Sequence, residues 1–266
     1  KLHEIRAHPL RSNSQNHRNG VIKMNQLEFP AIAQFPPKPF HVAGVVVLSG
    51  GQDSVTCLGL AMKCYAKVVA VSFTYGQKHA VELEAAAAIC AKHNIQHIVL
   101  SMPALTELGD SALLATSSNS VNEKHPHKAN LPASFVPNRN ALFLTAAHAL
   151  AQKVGAKYVV TGVSQTDYSG YPDCRLKFIR SLETALNLGA ESNISIITPL
   201  IRKNKAETFL MAKQVGVLDD VINLSHTCYN GDHKTFHDWG YGCGECPACL
   251  LRAKGWEDFK QNHAGV

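Results

Sequence analysis

A block of small and polar residues, Ser-Gly-Gly-Gln-Asp-Ser at positions 49–54, directly follows the apolar run Val-Val-Val-Leu. Two consecutive glycines allow a sharp turn whose amide N–H groups point inward, and Ser49 and Ser54 add hydroxyl donors. Together with the positive end of a following helix, such a turn forms a binding site for a phosphate group. A plain turn, with Asp53 or Ser54 capping the helix, is the alternative interpretation.

Asp53 lies inside this candidate phosphate site, where a carboxylate alone would repel the ligand. A bridging Mg²⁺ removes the conflict, because this ion takes oxygen ligands from both sides. The block lacks the Lys-Ser/Thr pair of a Walker A loop and the G-x-G-x-x-G pattern of dinucleotide-binding proteins. The sequence therefore predicts a phosphate loop of another type that uses magnesium.

Four of the eight cysteines are arranged as C-x14-C-x2-C-x2-C near the C-terminal end: Cys228, Cys243, Cys246 and Cys249. This spacing lets four thiolates converge on one tetrahedral ion, and nearby glycines and Pro247 supply the turns. We expect a structural Zn²⁺, with an iron–sulfur cluster as the alternative. The other four cysteines are scattered through apolar or helical stretches, as is typical of buried thiols.

Three histidines, His226, His233 and His237, lie close to these cysteines in the sequence and could replace a thiolate ligand. Because four cysteines already complete a tetrahedral site, we expect the histidines to lie at the surface or just outside the coordination sphere.

Short β-branched runs alternate with helix-like stretches after position 44. The strand candidates are residues 45–48, 67–73, 97–100 and 158–161. Helices are expected from the glycine block to about residue 65, and over residues 79–93, 140–154, 175–188 and 205–215. This alternation predicts an α/β fold, with an open, mostly parallel sheet and helices on both faces. The site would lie at the carboxyl ends of the strands.

The chain divides into three predicted segments. Residues 1–44 are proline-rich and irregular, and they carry a net charge of +4 of the total +6. We expect this arm to be disordered or draped, and residues 1–23 to be an extension that the native enzyme lacks. Residues 45–224 form the predicted α/β domain, within which residues 101–137 interrupt the regular alternation. Residues 225–266 form the third predicted segment, which is helical and binds zinc through its four cysteines.

The composition favours an enzyme with a substantial core, since 45% of the 266 residues are hydrophobic and 17% are charged. No run of 18 apolar residues occurs and no signal peptide is recognisable, so we expect a cytoplasmic protein without a membrane segment. Beyond the arm, basic residues exceed acidic ones by only two. The charge therefore does not predict a nucleic-acid partner.

The block at positions 49–54 resembles the pyrophosphate loop of the N-type ATP pyrophosphatases, or PP-loop proteins, which cleave ATP between the α and β phosphates. In that family the loop holds the leaving pyrophosphate. The resemblance implies an adenine nucleotide α-hydrolase-like fold. It also implies nucleotide contacts along one run: Leu48, Ser49, Gly50, Gly51, Gln52, Asp53, Ser54, Val55, Thr56, Cys57 and Leu58.

Further fragments resemble the 7-cyano-7-deazaguanine synthase family over about four-fifths of the chain. They are Ser-Phe-Thr-Tyr-Gly-Gln-Lys-His (72–79), Phe-Val-Pro-Asn-Arg-Asn (135–140), Asp-Tyr-Ser-Gly-Tyr-Pro-Asp-Cys-Arg (167–175) and His-Thr-Cys-Tyr-Asn (226–230). The resemblance implies a ligase of queuosine biosynthesis that joins ammonia to 7-carboxy-7-deazaguanine. It uses Mg-ATP, passes through adenylated intermediates and yields the nitrile; a structural zinc and a homodimer are implied as well.

The resemblance also suggests roles for residues outside the loop. Lys205 would contact phosphate, and Arg139 would bind phosphate or the substrate carboxylate; Asp53, Ser54, Lys205 and Arg139 form the expected catalytic set. Recognition of the base is expected from Tyr75, Gln77, Asp167, Tyr168, Tyr171, Asp173 and Arg175. For each of these residues, a helix start, a surface ion pair or an ordinary polar loop is the alternative.

Two other functions remain open at this level. A PP-loop enzyme that modifies tRNA, either a thiolase or a lysidine-type enzyme, would share the loop but is expected to need a basic RNA-binding face. A zinc-stabilised nucleotide-binding module without catalysis is the second alternative. Substrate-dependent exchange of pyrophosphate into ATP would exclude the module, and a requirement for tRNA would favour the thiolase.

Overall fold

The computed structural model describes residues 40–108, 111–118, 120–121, 123–125, 128–165 and 170–263. A five-stranded sheet forms its centre, with the strands β1 (Phe40–Val47), β2 (Tyr65–Thr74), β3 (Gln96–Ser101), β6 (Ala156–Val160) and β7 (Ser195–Ile197). The strands lie in the order β3-β2-β1-β6-β7, and every neighbouring pair is parallel. The predicted arm lies outside the described residues up to residue 39.

The first strand begins earlier than its β-branched run. β1 starts at Phe40, whereas the sequence predicts a start at Val45. Gly44 explains the difference, because a Cβ at this position would lie 2.5 Å from the ring of Tyr65 on the neighbouring strand. Glycine has no side chain, so it adds nothing to the apolar pattern from which the strand is predicted. Its small size lets the Tyr65 ring pack directly on the strand.

Helices cover both faces of the sheet, which confirms the predicted fold class. Side chains of Val46 and Leu48 face one core, formed with α1 (Gln52–Cys64), α2 (Val81–Lys92) and α6 (Lys205–Val215). Val45 faces the other core, formed with α4 (Arg139–Val154) and α5 (Leu176–Gly189). Because successive side chains of a strand point to opposite faces, an uninterrupted valine run suits a strand between two helical layers.

The stretch that interrupts the alternation, residues 101–137, forms small elements of its own. They are α3 (Ala104–Leu108) and an antiparallel pair, β4 (Lys124–His125) and β5 (Lys128–Pro132). Two backbone hydrogen bonds fasten this insertion over the turn that follows β2, from Lys78 N–H to the Leu113 carbonyl and from Ala115 N–H to the Gly76 carbonyl. The insertion therefore borders the carboxyl end of the sheet.

The C-terminal part consists of α7 (Leu218–Asn223), a short pair of strands, β8 (Phe236–His237) and β9 (Gly240–Tyr241), and α8 (Pro247–His263). α8 packs on α6 through an aromatic cluster in which the Phe209 ring lies 5.0 Å from Trp256 and 6.0 Å from Phe259. The cysteine-bearing segment thus shares a core with the α/β layers. None of the helices in the described ranges is long and apolar enough to cross a bilayer.

Candidate functional site

The glycine block forms a tight turn between β1 and α1. Gly50 has a φ of +89°, and a Cβ at this position would lie 2.0 Å from the carbonyl oxygen of Glu82, so only glycine fits. The turn is braced by Ser54, whose hydroxyl donates to the Gly51 carbonyl (3.0 Å) and accepts from Ser49 N–H (3.2 Å). Hydrogen bonds among its own residues thus hold the turn, which leads directly into the first turn of α1.

Asp53 lies in the first turn of α1 and pairs with Lys205, the first residue of α6. Lys205 Nζ is 2.6 Å from Asp53 Oδ2. Asp53 Oδ1 is buried and has no hydrogen-bond partner among the described residues. Since a buried carboxylate oxygen without a partner is costly, this atom fits a ligand for a hard cation such as Mg²⁺.

Lys205 is positioned by the start of its helix. Asn204 caps α6 in a capping box, in which its side chain accepts from Glu207 N–H (2.9 Å) and Glu207 accepts from Asn204 N–H (2.8 Å). Gly255 of α8 lies directly against Lys205, because a Cβ there would be 2.3 Å from the Lys205 Cβ. The helix start and its packing together direct the lysine toward the phosphate loop.

A second group of polar side chains surrounds Arg139, which opens α4 after Asn138 (φ +57°). Arg139 is hydrogen-bonded to Tyr75 and lies 6.0 Å from the centre of the Tyr171 ring. Burial acts to lower the pKa of Arg139, but Tyr75, Tyr171 and Asp173 raise it overall. The guanidinium therefore stays charged within a largely aromatic site.

The structure places Tyr171 and Asp173 near Arg139. The Tyr171 hydroxyl is 2.5 Å from Ser134 Oγ, and Asp173 Oδ2 accepts from Asn140 N–H at 3.0 Å. Asp173 is only 5% exposed. These bonds hold the loop before α5 against the start of α4, so that an aromatic ring and a carboxylate face the arginine.

Two residues of this group, Glu82 and Tyr229, are missing from the sequence-based site. Burial raises the pKa of Glu82 to about 7, while Arg139 opposes the shift. Burial also raises the pKa of Tyr229 well above its usual value, and a hydrogen bond with Tyr171 adds to the effect. Glu82 occupies the first turn of α2, where an acidic residue is common, so its position in the sequence does not indicate that it lies near Arg139. Tyr229 follows the first clustered cysteine directly, which is the signal that could have found it.

Other predicted site residues have different surroundings. The Gln77 amide accepts from Tyr75 N–H (2.8 Å) and donates to the Phe73 carbonyl (3.3 Å), so it holds the turn after β2. Arg175 is exposed at the start of α5. Asp167 and Tyr168 lie outside the described residues. The later part of the nucleotide run, Val55, Thr56, Cys57 and Leu58, is buried inside α1 and supports the loop from behind.

The four clustered cysteines converge. Their Sγ atoms all lie within 4.8 Å of one another, with Cys243 and Cys249 at 3.9 Å and Cys228 and Cys246 at 4.0 Å. Four thiolates on one tetrahedral Zn²⁺ would stand about 3.8 Å apart, given a Zn–S bond of about 2.3 Å. The group can hold a metal ion. Hydrogen bonds from its neighbours lower the pKa of Cys228, which favours the thiolate form.

The cysteine segment is joined directly to the phosphate loop. His226 N–H donates to the Gly50 carbonyl at 2.9 Å, and its ring, which is fully buried, bonds to the Cys228 carbonyl at 3.1 Å. Gln52 N–H donates to Thr227 Oγ1 at 3.4 Å. His226 and Thr227, which directly precede Cys228 in the chain, thus connect the cysteine segment to the phosphate loop by hydrogen bonds.

A parallel α/β sheet whose first strand turns through Ser-Gly-Gly-x-Asp-Ser into a helix, with a lysine facing the aspartate, defines a PP-loop ATP-binding protein. A family model described as "Queuosine biosynthesis protein QueC" matches residues 43–260. The chain belongs to this family and is an enzyme.

Three curated relatives, each named 7-cyano-7-deazaguanine synthase, illustrate the similarity. The Wolinella succinogenes protein is 55% identical over 216 residues, which cover 81% of this chain and 93% of the relative. The Helicobacter pylori (strain Shi470) protein is 50% identical, with 82% and 96% covered. The Clostridium botulinum protein is 48% identical, also with 82% and 96% covered.

Proposed function

We propose that the protein is a C–N bond-forming ligase that converts 7-carboxy-7-deazaguanine and ammonia into 7-cyano-7-deazaguanine. ATP is the co-substrate, and AMP and pyrophosphate are released. Arg139 and the residues around it form the Arg139 group, whose other members are Tyr75, Glu82, Tyr171, Asp173 and Tyr229. The observation that carries the proposal is the position of this group beside the phosphate loop. The Gly50 backbone packs on Glu82, and the carboxyl group of Glu82 interacts with Arg139. The names of the relatives give the product, 7-cyano-7-deazaguanine, and the acid and ammonia are the substrates that the family resemblance implies.

The reaction needs two rounds of adenylation. First the substrate carboxylate oxygen attacks the α-phosphorus of ATP and pyrophosphate leaves. Ammonia then attacks the acyl carbon, loses a proton and displaces AMP, which gives the amide. In the second round the amide oxygen attacks a second ATP, and pyrophosphate leaves again. Loss of the two nitrogen-bound protons and of AMP then produces the nitrile.

In this mechanism, the phosphate loop binds the pyrophosphate that leaves in each round. Backbone amides at the start of α1 and the Lys205 ammonium supply positive charge where the leaving group gains negative charge. Asp53 Oδ1 would hold Mg²⁺, which when bound neutralises charge on the phosphate oxygens. Lys205 keeps the remaining oxygen of Asp53 paired.

The Arg139 group has the task of binding the heterocyclic acid. A charged guanidinium recognises a carboxylate, and the rings of Tyr75, Tyr171 and Tyr229 suit a flat purine-like base. Glu82 could accept hydrogen bonds from the N–H groups of such a base. Roles in base recognition for Asp167, Tyr168 and Arg175 stay part of the proposal.

Zinc is the metal we propose for Cys228, Cys243, Cys246 and Cys249. All four sulfurs are close enough to share one ion. In a [4Fe–4S] cluster each thiolate binds a different iron at a corner of a cube, and the sulfurs must then stand further apart. When bound, Zn²⁺ supplies a fold-stabilising crosslink. A cytoplasmic homodimer belongs to the same proposal and rests on the family resemblance.

The deciding experiment is one incubation of the purified protein with Mg-ATP, ammonium and 7-carboxy-7-deazaguanine, followed by mass detection of the nitrile. Two AMP molecules per nitrile are expected. Omission of ammonium should leave pyrophosphate exchange into ATP but no amide. A preparation that retains zinc and ATP binding yet forms product only on tRNA would contradict the proposal.

A further inference from the structure

The hydroxyl of Thr227 reaches the phosphate loop from the cysteine segment. A Cβ built on Gly51 would lie 3.6 Å from Thr227 Oγ1 and 3.6 Å from Ser49 Oγ. Two hydroxyl groups from opposite ends of the folded chain therefore flank the same glycine. Ser49 belongs to the loop sequence, whereas the position of Thr227 in the sequence gives no sign that it lies beside the loop.

Both acceptor positions of the Thr227 hydroxyl are occupied. Its oxygen accepts from Gln52 N–H at 3.4 Å and from a guanidinium nitrogen of Arg252 at 3.0 Å. A backbone amide and a guanidinium can only donate, and a hydroxyl has two acceptor lone pairs and a single hydrogen. The remaining hydrogen of Thr227 must therefore donate. Among the described residues, no acceptor receives it.

Arg252 fixes this arrangement from α8. Its side chain is 1% exposed, and it also donates to the Trp239 carbonyl (2.9 Å) and the Val221 carbonyl (2.6 Å). Burial lowers the pKa of Arg252 to about 10, while Cys249 and Asp53 oppose the shift. Because three acceptors hold the guanidinium, its donation to Thr227 persists, and the threonine hydrogen stays directed away from Arg252.

We propose that Thr227 is a pyrophosphate-binding residue whose hydroxyl donates a hydrogen bond to the departing diphosphate. The loop would then be completed by a side chain from the cysteine segment, and Arg252 would act as a positioning residue. An anionic oxygen is the acceptor that a forced donor beside Gly51 and the start of α1 would meet. This inference rests on the proposed function of the loop.

Calorimetric titration of the full-length, zinc-loaded protein with Mg-pyrophosphate, Mg-ATP and AMP tests the inference. Thr227→Val should weaken binding of pyrophosphate and ATP by about 10-fold to 100-fold, the range for a hydrogen bond to a charged group, and should leave AMP unaffected. Thr227→Ser keeps the hydroxyl and should bind like the parent protein. Zinc content and far-ultraviolet circular dichroism control for misfolding.

A crystal soaked with Mg-pyrophosphate gives a second readout that does not depend on a variant. We expect a phosphate oxygen about 2.7 Å from Thr227 Oγ1. A diphosphate in the loop but beyond 3.5 Å from this oxygen, or an equal loss of AMP and ATP affinity in Thr227→Val, would overturn the inference. Absence of pyrophosphate binding in the parent protein would instead refute the proposed function of the loop.

Discussion

The ammonium group of Lys205 lies 2.6 Å from one carboxylate oxygen of Asp53, although the two residues are 152 positions apart in the chain. The other carboxylate oxygen is buried without a partner among the described residues. Asp53 thus pairs with a cation from α6 through one oxygen and has its other oxygen available for a ligand. In the proposed mechanism, Lys205 and a metal ion on this second oxygen would both supply positive charge to the departing pyrophosphate.

Lys205→Met should lower kcat/KM for ATP by about 100-fold, because it removes one charge that stabilises the leaving group and leaves Asp53 unpaired. Steady-state kinetics with pyrophosphate release as the readout will measure it. Lys213→Met is a matched control, since Lys213 is exposed in the last turn of the same helix. Similar kinetics for both variants would argue against a role for Lys205 at the phosphates.

Gly50→Ala should destabilise the protein by about 2 kcal/mol or more and abolish ATP binding. The change forces a Cβ into a left-handed backbone conformation and against the Glu82 carbonyl. Gly189→Ala is the control, since no atom lies within 4 Å of the added Cβ at the end of α5. Urea unfolding and nucleotide titration are the measurements, and normal ATP binding by Gly50→Ala would contradict the described loop.

Glu82 should make folding stability depend on pH. Its pKa is raised to about 7 from a usual 4.5, so the folded protein holds a proton that the unfolded chain releases between these values. Stability from this group is complete below pH 4.5 and is lost as the pH rises through 7, by about 3 kcal/mol.

Glu82→Gln should remove this pH dependence while other contributions remain. Urea unfolding at pH 5 and pH 8 gives the unfolding free energy of the parent protein and of the variant. The difference between the two proteins reports on Glu82, because the cysteine site is present in both. The difference should change with pH in favour of the variant at pH 8. Parallel profiles would show that Glu82 ionises normally.

Disruption of the cysteine site should impair the phosphate loop at a distance. Cys246→Ser is expected to lose the metal and, with it, the hydrogen bonds from His226 to Gly50 and from Gln52 to Thr227. If the loss of these two bonds, of about 1 kcal/mol each, is fully expressed in the affinity, ATP binding should weaken by about 30-fold.

Metal analysis and ATP titration measure both effects, with Cys90→Ser as a control at a buried cysteine outside the group. We expect one zinc ion per parent chain. Iron and sulfide in the anaerobically purified protein would contradict the zinc proposal, and unchanged ATP affinity in metal-free Cys246→Ser would contradict the coupling.

Strong local signals made much of the fold predictable. The apolar periods of α4 and α6 run through consecutive residues, so the bounds of these helices lie close to those predicted, and the valine run locates the second half of β1. β7 is only three residues long and packs between two helical layers, which leaves too little pattern to recognise. Local sequence reports on propensity, but a strand this short exists because β6 pairs with it.

The site was predictable where residues adjoin a glycine turn or a cysteine cluster. Asp53 follows the glycine turn and Arg139 follows the Pro-Asn pair at positions 137–138, and the structure gives them charged or aromatic neighbours. Glu82 and Thr227 were not recognised, because each acquires its surroundings from residues far along the chain. No local spacing can encode such a meeting of distant segments.

The bond from His226 to Gly50 has a consequence for protein synthesis. The ribosome makes the loop about 175 residues before His226, its partner on the cysteine segment. Until that segment has been made, the growing chain carries the ATP-binding motif without the contacts that brace it. We therefore expect a nascent chain to gain full ATP affinity only after the cysteine segment has folded against the loop.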